Sequence, residues 1–104
     1  MRTAEDIRNA QDHIRLTEMS KGFKWCEEHE DLITKAIEKA LDKGETEACV
    51  WVRDKALKLN YIEEIMEGIE QYLNKYGYAI VQYDTNGFEG ILRWFIFSWR
   101  KGKK

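Results

Sequence analysis

Residues 91–99, Ile91 to Trp99, read ILRWFIFSW, and the rest of the chain is arranged around what this stretch needs. At period two, Ile91, Phe95, Phe97 and Trp99 share one face, and Leu92, Trp94 and Ile96 share the other. Both faces are apolar. A strand of this kind wants cover on both sides, from the chain's own helices or from another subunit.

Working back from it, Asp84 to Gly90 (DTNGFEG) carries an Asn-Gly pair and two glycines. That is a hairpin signal with a loop longer than the tightest type. Tyr78 to Tyr83 (YAIVQY) is then a strand antiparallel to the last one. Before it, Ile62, Ile65, Met66, Ile69, Tyr72 and Leu73 form a helical stripe that Asn60 caps, with Glu63 three residues on, and Gly77 ends. Arg53 to Leu59 is a connector. Thr46 to Val52 (TEACVWV) is a first strand, with Ala48, Val50 and Val52 on one face and Cys49 and Trp51 on the other. The order β-α-β-β, with a right-handed crossover, makes the first two strands run the same way. The last strand, longest and apolar on both faces, is placed in the centre, giving a spatial order of 1-3-2.

The N-terminal part is a helical arm. Thr3 and Asp6 resemble a capping box, and Ile7, Ala10, Ile14 and Met19 recur at helical spacing over about residues 4 to 20. This seam is thin and needs a partner. Ser20, Lys21 and Gly22 break the pattern before a stronger helix, Phe23 to Lys43, that Gly44 stops. The two runs are one long helix or a bent pair. The fold class expected is α+β: a helical arm (1–43), then a β-α-β-β unit (46–99) with a small three-stranded mixed sheet, and a basic tail (100–104), all in one domain of 104 residues.

Four Trp, five Tyr and four Phe are a heavy aromatic load for a chain that buries roughly 65 per cent of its unfolded surface. Seventeen basic against nineteen acidic residues, net −2, exclude a uniformly basic coat for long nucleic acid. The dense basic run is Arg100, Lys101, Lys103 and Lys104, read as a solvated terminus. No apolar run approaches a membrane span and the N-terminus is no signal peptide, so a cytoplasmic protein is expected. Cys26 and Cys49 lack zinc spacing and are read as buried thiols in a reducing compartment.

Catalytic patterns are missing. Cys26 and His29 offer at most half of a metal site, and His13 lies on a polar helix face. Ser20 and Ser98 sit in no nucleophile elbow, and Glu27–Glu28 and Glu63–Glu64 lie on solvated helix faces. Gly87 and Gly90 belong to a hairpin and not to a phosphate loop. The expectation is no enzyme, no metal and no cofactor. Arg93, Trp94, Trp99 and Arg100, with Tyr78 and Tyr83 beside them, interleave guanidinium groups with aromatic planes, the combination that pairs with phosphates and stacks on bases. Aromatic clusters at strand ends are more often core or subunit interface. A buried Arg93 would be hard to explain by packing alone.

The run IEKALDKGETEACVWV, the helix ending Leu73-x-x-x-Gly77-Tyr78, and the last strand closing on Ser98-Trp99 resemble a module found in small proteins encoded by tailed bacteriophages. The likeness covers about residues 33 to 99, with Phe97 where an aliphatic residue is usual. It implies a phage origin. Small oligomeric phage proteins of this size include sponges for the cyclic nucleotides of bacterial anti-phage defence. The expectation is therefore a homo-oligomer in the host cytoplasm that captures a cyclic nucleotide, with Arg93 and Arg100 on phosphates and Tyr83, Trp94 or Trp99 stacked on bases. The alternative is a virion or assembly component acting through protein contacts.

Overall fold

A computed structural model describes residues 3–100 of the chain. Three α-helices, α1 (Ala4–Glu28), α2 (Glu30–Asp42) and α3 (Ile62–Asn74), accompany three strands, β1 (Glu47–Trp51), β2 (Ala79–Asn86) and β3 (Ile91–Ser98). The expected α+β class and helical N-terminus are present. Of the basic tail, Lys101, Lys103 and Lys104 lie outside the described residues.

The capping box at the start of α1 forms as read: the Asp6 amide donates to Thr3 Oγ1 at 3.1 Å, and the Thr3 amide donates to Asp6 Oδ2 at 3.2 Å. At Ser20–Gly22, where the sequence leaves one long helix or a bent pair open, the helix is continuous. The chain bends instead at His29, whose amide returns to the carbonyls of Trp25 and Cys26. Gly22 has a different task. A methyl group there would strike the Ile65 carbonyl oxygen and stand 3.2 Å from the Ile69 amide nitrogen. A methyl at Gly68 would strike the Met19 carbonyl and stand 2.8 Å from its carbon. The two glycines face each other's helix and let the backbones of α1 and α3 touch.

Asn60 does not cap α3 as expected. It lies inside a single 3₁₀ turn, Leu59–Tyr61, that leads into the helix, and Tyr61 is the capping residue without a side-chain bond. Arg53–Leu59 is the connector expected, running into that turn; Leu57, buried there, accepts from the Leu92 amide and so ties the connector to the start of β3.

The sheet has the order β1-β3-β2, with β3 central as expected. It is antiparallel throughout, because β3 separates the two strands that run the same way; the label "mixed" therefore gives way to "antiparallel". Ala48, Val50, Phe95 and Phe97 face the helices and pack with Trp25, Cys26, Ile33, Ile65, Ile69 and Leu73 in one core.

The period-two reading of β3 fails at one place. Asp84 pairs with Trp94 but Thr85 pairs with Leu92, so Arg93 is an extra residue, a β-bulge. The bulge turns Leu92 into the core, fully buried, and leaves Arg93 exposed.

Candidate functional site

The face of the sheet away from the helices consists of cross-strand rungs. Cys49, Ile96 and Gln82 form one, and Trp51, Trp94 and Asp84 form the next. Antiparallel sheets commonly leave one face to water, but then that face is polar. Here Trp51 is 48% exposed, Cys49 is exposed, and Trp94 and Ile96 are only half-buried. The second apolar face of β3 thus exists, and among the described residues no helix covers it, α2 reaching only its β1 edge near Cys49 and Trp51.

Two guanidinium groups attend the exposed indole. Arg53 lies 5.5 Å and Arg93 5.6 Å from the ring centre of Trp51. The bulge brings Arg93 to this face, where Asp84 holds it at 3.2 Å. Arg53 reaches the ring from a left-handed backbone conformation, φ 51°, which a bulky side chain adopts at a cost.

Of the five residues read as a ligand site, three border the open face and two do not. Arg93 and Trp94 share the open face. Tyr83 is on the opposite side, opening onto a cleft with Met66 and the carboxylates of Glu63, Glu67 and Glu70, surroundings that repel an anion. Trp99 packs edge-on to Tyr78 and Phe97 at the margin of the core. Arg100 follows the end of β3, its amide donating to Ser98 Oγ at 3.1 Å, and borders a shallow cleft of about 550 Å³ with Gly44, Thr46, Cys49 and Ile96. The exposure of Arg93 likewise removes the premise that it is a buried charge in need of explanation.

Sequence reasoning missed Trp51 and Arg53, which complete the open face, and Phe88. The alternation of β1 did place Trp51 opposite the core, but its pairing with Trp94 depends on a register that only the fold supplies. Phe88 stands fully exposed at the hairpin tip, where the Asn86 side chain accepts the Phe88 amide at 3.0 Å and fixes the turn.

The remaining candidates have structural employment. His29 stacks on Trp25 at 4.2 Å and its Nδ1 donates to the Trp25 carbonyl at 2.8 Å, at the bend between α1 and α2. Cys26 is enclosed in the core, where burial pushes its thiol up to about 12. Cys49 is exposed on the open face, which corrects the reading of two buried thiols; partial burial still raises its thiol. Tyr72 donates to Glu30, and burial first, then that carboxylate, raises the phenol. Among the described residues, no three or more potential ligands gather for a metal, and no helix is long and apolar enough to cross a membrane. No protein-family model, curated protein or solved structure matches the chain.

Proposed function

We propose that the chain is a non-catalytic interaction protein that works through the open face of its sheet, and that its first partner there is a second copy of itself. The observation that carries this is Trp51: a tryptophan in a regular strand, 48% exposed, next to half-buried Trp94 and Ile96 on a face that no described helix covers. Exposed apolar surface in contiguous rungs is what partner contacts use, and Trp and Arg are the side chains enriched in them. On this reading the chain is a phage-encoded assembly or virion component, its origin resting on the likeness of residues 33 to 99 to the phage module. The test is sedimentation of the intact chain beside Trp51→Glu and Ile96→Glu. Self-association lost in both variants, with folding retained, supports the reading, and a wild-type chain that stays monomeric sinks it.

One observation favours a second reading, capture of an anionic nucleotide. Arg53 and Arg93 both flank Trp51, and among the described residues only Arg93 has an acidic partner. A phosphate could take the remaining donors and a base could lie on the indole. A panel of cyclic dinucleotides should then raise the melting temperature by mass action, and Arg53→Ala should remove the shift. No shift across the panel would discard this second reading.

A further inference from the structure

At the far end of α3 from the turn that starts it, Lys75 makes no salt bridge among the described residues. Its ammonium nitrogen lies 5.0 Å from the ring centre of Phe23, 5.5 Å from Tyr72 and 5.6 Å from Tyr76. Phe23 meets Tyr72 edge-on at 5.5 Å, and Tyr76 is tilted against Tyr72 at 5.3 Å, so the three rings stand as adjoining walls. Packing does not account for Tyr76, which is 55% exposed. Beside the rings a cleft of about 230 Å³ continues between α2 and α3, lined by Thr34, Ile37, Tyr78 and the carboxylate of Glu30. Glu30 Oε2 accepts the Tyr72 hydroxyl, and no described residue donates to its other oxygen.

We propose that Phe23, Tyr72 and Tyr76 form an aromatic cage for a small quaternary ammonium compound, and that in the free chain Lys75 fills it. Ring faces attract a cation through their quadrupole, most strongly when the cation is poorly hydrated. A lysine ammonium is compact and strongly hydrated, whereas a methylated ammonium sheds water readily and fits the same three faces. Glu30, which lines the adjoining cleft and accepts the Tyr72 hydroxyl, supplies the opposite charge such a ligand needs. Lys75 is exposed, and its stem is flexible enough to swing out when a better cation arrives. This cage is built from α1 and the C-terminal end of α3, and the proposal is independent of any role for the open sheet face.

The probe is tetramethylammonium chloride, titrated into the intact chain while the ring resonances of Phe23, Tyr72 and Tyr76 are followed by NMR, with sodium chloride at matched ionic strength as control. Wild type should show saturable shifts in these three rings. Lys75→Ala should titrate at a concentration about fivefold lower, because it removes a competitor worth one weak cation–π contact. Lys75→Gln, which keeps much of the stem, should behave as Lys75→Ala does. Adding Tyr76→Ala, an exposed position, should abolish the shifts without unfolding the chain. The proposal is overturned if Lys75→Ala and wild type titrate alike, if shifts never saturate, if sodium reproduces them, or if they survive Tyr76→Ala.

Discussion

Two glycines hold the helical layer together by what they lack. Gly68 sits against the Met19 carbonyl and Gly22 against that of Ile65, so an added methyl must push the helices apart. Gly68→Ala and Gly22→Ala should each lower stability by about 1–3 kcal/mol in urea unfolding. Gly44, at φ 73° with open space around it, is the control: its alanine variant should lose only about 1 kcal/mol, the cost of a left-handed backbone. Two buried acids set the alkaline limit. The unfolded chain releases the Cys26 proton near 9.0 while the folded chain holds it to about 12, and Tyr72 is likewise raised above its ordinary 10.0. Between those values the unfolded state binds fewer protons, so stability from these groups is complete below pH 9 and falls as pH rises above it. Urea midpoints from neutral to strongly alkaline pH should show that fall, and Tyr72→Phe should make it shallower.

Each element shows how far its own residues determine it. The alternation of the first strand is legible, since Ala48 and Val50 are buried and Cys49 and Trp51 exposed, although the strand is shorter than read, Glu47–Trp51, and Cys49 is not the buried thiol expected. The third was legible to its centre, where the bulge at Arg93 changes the side that every earlier residue faces. Nothing local signals the bulge; it arises from pairing with β2. At Ser20–Gly22 the sequence leaves one long helix or a bent pair open, and the choice is made by α3, whose backbone packs on Gly22 and keeps it inside α1. Of the five residues read as a ligand site, Arg93, Trp94 and Arg100 border the open face while Tyr83 and Trp99 lie towards the helices, a division set by the bulge and the strand pairing that the sequence does not show. Along α1, Ile7, Ile14 and Leu16 are exposed, while Met19, Trp25 and Cys26 are buried. Alanine at Ile7 or Ile14 should therefore change stability by less than about 0.5 kcal/mol, whereas Phe95→Ala should cost about 3–5 kcal/mol, both measurable by thermal or urea unfolding.

For the molecule as a whole, the helices cover one face of the sheet and leave the other, and extents of 59 × 33 × 23 Å show how far the structure departs from a sphere. The open face is small. Strands of five, eight and eight residues, about 3.3 Å per residue and about 4.8 Å apart, give a footprint of roughly 330 Å², less than half of one side of a standard interface. Self-association through this face alone should thus be weak, in the micromolar range, unless the arm's exposed Ile7, Ile14 and Leu16 add to it. Sedimentation equilibrium from about 1 to 200 µM spans that range. The predicted result is a reversible, concentration-dependent dimer that Trp51→Glu reduces to monomer with its far-ultraviolet spectrum unchanged. A wild-type chain that remains monomeric throughout, or a Trp51→Glu chain that dimerises equally well, would contradict the assignment of the open sheet face as the working surface.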